Sequence, residues 1–243
     1  MTIDLVSQSV LVSCRHDRGE VLEDRDWSRI SVDTLASSVP WRTFRWHAGQ
    51  RHYSGIYWSA TMRDHVIYES RLELACLVLA DFDPGVSHIL AQPFLLRAVV
   101  EGQERKHIPD YLLLTSDGPV VVDVKPLRQL SKPVVDFTFR WTRRVVEQRG
   151  WQFQVCSEPP LVRLENVRFL AGYRRAWLFD PDLLGALREC ELGGLTIAQA
   201  VRMLPGLPES RVRAAVLHLV WCGELAVDLD RPLGSATISR VAR

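Results

Sequence analysis

The chain has no apolar run long enough to cross a bilayer, and its first residues show no signal-peptide pattern. No membrane-spanning helix is expected, and a cytoplasmic setting is. Cysteine is scarce: the five are Cys14, Cys76, Cys156, Cys190 and Cys222. No two form a C-x-x-C pair and the number is odd, which argues against a zinc ribbon or a disulfide framework. Reduced thiols are the expectation. Charge of one sign is also lacking. The net charge is +1, with 23 basic and 21 acidic residues up to position 175 and 7 and 8 beyond it. Neither part is a polycation, so any contact with nucleic acid must come from a local patch. No internal repeat or low-complexity tract is visible. What remains is an ordinary globular composition, 47% hydrophobic and 24% charged, in 243 residues. That is enough for one large or two small domains.

The most informative stretch runs from His107 to Pro126, H-I-P-D-Y-L-L-L-T-S-D-G-P-V-V-V-D-V-K-P. Residues 108–114 predict a strand, Thr115-Ser116-Asp117-Gly118-Pro119 a turn, and residues 120–125 the returning strand. Gly118 can take a left-handed conformation there at little cost. A turn centred on Asp117-Gly118 sets Asp110 opposite Lys125 and Leu112 opposite Asp123. Side chains alternate across a strand, so Asp110, Asp123 and Lys125 then share one face at one end of the hairpin. The other positions are apolar on both faces, which predicts a central hairpin covered on both sides.

Two carboxylates and an ammonium are costly to bury unless they pair or hold a metal. One reading is a structural ion-pair cluster. The other is a metal site: hard carboxylate oxygens suit Mg²⁺, with Mn²⁺ as substitute, and Mg²⁺ keeps several waters and accepts phosphate oxygens. The lysine could then orient or deprotonate an attacking water, or neutralise phosphate charge.

Around this hairpin, residues 64–80 read as a helix with Asp64 as N-cap, placing Glu69 and Glu73 one turn apart on one face. Residues 94–100 read as a strand, Glu101-Gly102 as a turn into the strand bearing Asp110, 133–150 as a helix, and 151–156 as a last strand. The 133–150 helix carries Arg140, Arg143 and Arg144, which fit either phosphate contacts or a solvated face. Residues 1–60 hold Trp27, Trp41, Trp46 and Trp58 among basic residues. Packing against the main domain is favoured over a DNA-contacting surface, since tryptophans mostly pack. Beyond about residue 175, helices over 181–190, 196–203 (capped by Thr196) and 209–222 precede strands over 224–229 and 236–241. Three helices and a hairpin suggest a winged helix. Its third helix offers Arg211 and Arg213, which do not share a face, so partner-protein binding weighs at least as much as DNA binding.

Pro109-Asp110 followed by Asp123-Val124-Lys125 resembles the PD-(D/E)-x-K signature of restriction-endonuclease-like nucleases. With Glu69-Ser70-Arg71-Leu72-Glu73, Asp81-Phe82-Asp83-Pro84-Gly85-Val86 and Gln92-Pro93-Phe94 before it, the ordered set resembles the TnsA family, the endonuclease subunit of heteromeric transposases. The resemblance covers roughly residues 60–175. It implies an α/β fold, a restriction-endonuclease-like core of a central mixed sheet flanked by helices, to which the C-terminal helices and hairpin add a winged-helix-like domain. The expected organisation is an N-terminal extension (1–60), a nuclease domain (61–174) and the C-terminal domain (175–243). It also implies a Mg²⁺-dependent DNA endonuclease, with Glu73, Asp110 and Asp123 as metal ligands, Lys125 completing the catalytic set, and Glu69 as fallback for Glu73. Double-stranded DNA at transposon ends, an integrase-type transposase and an ATPase regulator are the implied partners. The transposase would cut the 3′ ends and this subunit the 5′ ends. Two alternatives share the fold: a stand-alone restriction, repair or junction-resolving nuclease, and a non-catalytic DNA- or transposase-binding adaptor.

Overall fold

The computed structural model describes residues 9–17, 19–42 and 53–241. Chain contacts divide it into two units, Met1–Leu77 with Gly85–Glu158, and Val78–Pro84 with Pro159–Arg243. In chain order the first part runs β1 (Leu11–His16), β2 (Val21–Asp26), α1 (Val32–Ala36), β3 (Ser38–Val39), β4 (Gly55–Ser59), β5 (Asp64–Tyr68), α2 (Arg71–Phe82), β6 (Val86–Ala91), β7 (Leu95–Val100), β8 (Gln103–His107), β9 (Tyr111–Thr115), β10 (Gly118–Val124), α3 (Leu127–Leu130), α4 (Pro133–Gln148) and β11 (Gln152–Cys156).

The expected hairpin is β9–β10, and it lies inside a four-stranded mixed sheet of order β11-β10-β9-β6. β11 runs parallel to β10, while β9 is antiparallel to both β10 and β6. The run Val120–Val122 is β-branched and fits the centre of a sheet. The turn differs from the expected one. Thr115 pairs with Gly118 and Tyr111 with Val122, so the loop is Ser116-Asp117 and the register slips by two residues. Because the slip is even, no side chain changes face. Gly118 has φ +105, a conformation that any other residue would enter with strain.

Strand 94–100 is displaced from the expected order. It forms β7 (from Leu95), which pairs with β1 and β8 in a separate five-stranded sheet, β2-β1-β7-β8 with β3 beside β1. The place beside β9 belongs to β6. The turn at Glu101-Gly102 therefore leads into β8, and the chain crosses between sheets at Ile108-Pro109, where proline cannot continue a ladder.

The helix expected over 64–80 is also corrected. Asp64–Tyr68 is a strand paired with β4, and the helix begins at Arg71. The run Val66-Ile67-Tyr68 is β-branched and aromatic, which favours the extended form. Ser70, not Asp64, caps the helix: its Oγ accepts from the Glu73 amide at 3.1 Å. Glu69 thus lies just before the helix and not one turn back along it.

Val12, Leu96, Leu112, Val121, Trp141 and Val146 belong to one buried cluster lying between the two sheets and α4. Trp27 joins it, 5.2 Å from the Phe94 ring and 5.1 Å from that of Trp151. Its indole Nε1–H donates to the Val145 carbonyl at 3.1 Å, and Arg149 stacks on it at 4.6 Å. For this tryptophan the packing role holds; Trp46 falls outside the described residues.

Cys76 and Cys156 are not free thiols: they form a disulfide between residues 80 apart in sequence. Nothing local signals this pairing. It follows from the register, which sets Cys156 beside Val124 at one end of the sheet. Val124 faces away from Asp123, so the bond fastens this part of α2 to the face opposite the aspartates. Reduction, or Cys76→Ser with Cys156→Ser, is expected to lower stability by up to about 4 kcal/mol, the loop-closure entropy for so long a loop. Urea midpoints with and without dithiothreitol measure it; identical midpoints would show that the bond adds nothing.

The remaining elements are α5 (Leu161–Leu170), α6 (Pro181–Arg188), α7 (Ile197–Val201), α8 (Glu209–Trp221), β12 (Leu225–Val227) and β13 (Ser239–Val241). Asp180 caps α6, and Thr196 with Gln199 forms a capping box on α7. α8 buries Val212, Ala215, Val216 and Leu219, and Phe82 meets Trp221 edge-on at 5.2 Å. β12 and β13 are antiparallel and shorter than expected, and Ile238 bridges to Thr196. Asn166 ties the loop between them, donating to the Leu229 and Arg231 carbonyls and accepting from the Leu233 amide. No helix among the described residues is long and apolar enough to cross a membrane.

Candidate active site

A cavity of about 400 Å³ opens at the sheet end where β9 begins and β10 stops. It is lined by Glu69 and Glu73, by Asp110, Asp123 and Lys125, by His107 from the end of β8, and by the cations Arg42 and Lys106. The hairpin register continues to set Asp110 beside Asp123, and Lys125 follows on the same face. Three of the four expected catalytic residues therefore come from one hairpin. Glu73 is brought by α2.

Each carboxylate is held differently. Asp110 Oδ2 accepts from the Val124 amide at 2.6 Å, and the Asp110 carbonyl accepts from the Gln92 amide at 2.8 Å. Burial, and then the Asp123 charge, push the Asp110 carboxyl up to about 8, against the opposing pull of the Val124 amide. Asp123 is only 2% exposed. His107 Nε2 lies 2.9 and 2.8 Å from its two oxygens. Glu73 Oε2 accepts from the Glu69 amide at 2.7 Å and Oε1 from the Ser70 hydroxyl at 2.9 Å. Burial raises its pKa, those two bonds oppose the rise, and Glu69 adds repulsion. Glu69 Oε1 accepts from Gln92 Nε2 at 2.8 Å. Tyr111 stays a phenol, held well above its ordinary range by burial and by the nearby carboxylates.

No three His, Cys, Asp or Glu side chains among the described residues are grouped closely enough to cage a metal ion. The donor set still fits Mg²⁺, which is commonly held by one or two carboxylates and otherwise by water and substrate oxygens. The Asp110–Asp123 pair supplies two such groups on one cavity.

The three arginines expected to contact DNA do not line this cavity. Arg140 pairs with Asp136 at 3.0 Å. Arg143 stacks on Phe153 at 5.1 Å and donates to the Phe153 carbonyl and to Glu147. Arg144 lies on the same helix, α4. His107 and Lys106, to which the sequence assigns no role, do line it, as does Arg42, one of the basic residues among the N-terminal tryptophans weighed as a DNA-contacting surface. His107 begins the informative stretch but belongs to the other sheet, so strand register alone could not place it. Arg42 comes from a part of the chain with no strand or helix signal.

A mixed sheet with paired aspartates and a lysine at one end, and with helices α2 and α4 packed beside it, is consistent with a nuclease-like α/β core. Residues 83–158 match the family of the TnsA-like endonuclease N terminal. This part of the chain is thus similar to the N-terminal domain of TnsA-like endonucleases. The match contains Asp110, Asp123, Lys125 and His107, and ends before Glu69 and Glu73 are reached on its N-terminal side. No curated protein matches the chain.

Proposed function

We propose that this protein is a Mg²⁺-dependent DNA endonuclease that cuts the 5′ ends of a transposable element beside an integrase-type transposase. The observation that carries it is the cavity at the hairpin end, with Asp110, Asp123 and Lys125 on one face, inside the TnsA-like match. Asp110 and Asp123 would hold the metal, with Glu73 on the same cavity beside them and Mn²⁺ able to substitute. Bound there, Mg²⁺ supplies Lewis-acid stabilisation of the charge that builds on the scissile phosphate and the leaving oxygen. Lys125 positions the attacking water and offsets negative charge on the phosphate. Its own backbone is fixed for this, the amide donating to the Cys156 carbonyl at 2.9 Å and the carbonyl accepting from the Ser157 hydroxyl at 2.7 Å. Arg42 and Lys106, on the same cavity, meet phosphates flanking the cut. The three helices α6–α8 with the β12–β13 pair support reading 175–243 as a winged-helix-like domain. Arg211 is paired with Asp180 at 3.2 Å there, which favours a protein partner over DNA for α8.

Lys125→Ala is expected to lower cutting of a labelled transposon end by about 10²-fold or more, the typical worth of a positioned acid–base group. It should leave intact the rise in melting temperature that Mg²⁺ gives the wild type, because no metal ligand is removed. Nicking is measured beside a candidate integrase-type transposase. A wild type with neither a metal-dependent shift nor nicking would leave the adaptor reading. Full cutting without a transposase would favour the stand-alone nuclease.

A further inference from the structure

We infer that His107 is a positioning residue that sets the orientation of the Asp123 carboxylate for divalent metal; this rests on the endonuclease reading above. Asp123 is buried, and a buried carboxylate with no donor would be both costly and free to turn about its last torsion. His107 removes that freedom. Its Nε2 stands nearly equidistant from the two oxygens, at 2.9 and 2.8 Å, so one N–H holds both. Among the described residues it supplies the hydrogen bonds that the Asp123 carboxylate makes to other side chains. The remaining lone pairs of Asp123 are left for the cavity that it shares with Asp110.

The imidazole is itself immobilised. It meets the Trp141 ring edge-on, with centroids 6.1 Å apart, and Trp141 is 1% exposed. It ends β8, whose preceding residues pair with β7 from Leu96 at the His107 position onward. His107 therefore fixes a strand of one sheet to a metal-facing carboxylate of the other. A hydrogen-bond partner that aims a ligand, held by its own packing, commonly changes metal affinity by about 10–100-fold when removed.

The test uses the full chain and Mn²⁺ as probe. His107→Ala should weaken Mn²⁺ binding, read by titration calorimetry, by about 10–100-fold. It should raise the metal concentration for half-maximal nicking by a similar factor, while the rate at saturating metal stays within about tenfold of wild type. His107→Gln keeps an N–H donor and should recover most of the affinity. Urea midpoints without metal check that each variant is folded. If a folded His107→Gln binds Mn²⁺ as poorly as His107→Ala, hydrogen-bond positioning is wrong and the ring is needed for itself. If His107→Ala binds like wild type, His107 does no positioning. A wild type that binds no Mn²⁺ overturns the endonuclease reading and this inference together.

Discussion

Asp110→Asn is expected to abolish strand cutting and, without divalent metal, to make the protein more stable than wild type at pH 8. The loss of cutting should reach at least about 10²-fold, since a group stabilising transition-state charge is typically worth that much. The gain in stability follows from the pKa. The Asp110 carboxyl starts from 3.8 when unfolded and is pushed up to about 8 in the fold, by burial first and then by Asp123. Between those values the folded state holds a proton that the unfolded state has lost. Stability therefore falls as pH rises through that window, with a slope of up to about 1.4 kcal/mol per pH unit, and levels off above it. Asparagine carries no charge and removes this slope. Mg²⁺ should flatten it in the wild type too, since a bound cation takes the place of the proton. Urea midpoints at pH 5, 7 and 9, in EDTA and in Mg²⁺, read all of this. An Asn variant that keeps the wild-type slope would show that Asp110 is not the group that titrates.

The same residues show what the sequence could and could not reveal. The hairpin was legible because Val120–Val122 and Leu112–Leu114 have only one way to bury both faces. Its register was not, because Ser116-Asp117 and Asp117-Gly118 are both acceptable turns. The error did not matter for the site, since an even slip keeps Asp110, Asp123 and Lys125 together. Long-range contacts were hidden. The break at Pro109 sends β8 and β9 to different sheets, so His107 reaches Asp123 across a distance that no periodicity encodes. Cys76 and Cys156 likewise meet only through the tertiary fold. The start of α2 was misplaced because apolar content continues from Val66 into the helix, and only the Ser70 cap marks the boundary.

That boundary bears on the two glutamates. Glu73→Gln should lose at least about 10²-fold in cutting while its unfolding midpoint stays close to wild type; Glu69→Gln should cut within about tenfold of wild type. Glu73 has a structural use, as its oxygens hold the Glu69 amide and the Ser70 hydroxyl at the head of α2. Removing them with Glu73→Ala should cost about 1–2 kcal/mol as a lost cap, so alanine alone would confuse stability with chemistry. Glutamine removes the charge but retains an acceptor for one of those donors, so it disturbs the cap less than alanine does. Glu69 lies before the helix, and its Oε1 is engaged by Gln92, whose amide in turn holds the Asp110 carbonyl. A glutamine there still offers Gln92 an oxygen, and the Asp110 carbonyl stays in place. Single-turnover nicking and urea unfolding on the two Gln variants separate the roles. Should Glu69→Gln stop cutting while Glu73→Gln cuts normally, the third carboxylate is Glu69. Glu73 would then be only the cap that keeps α2 beside the sheet.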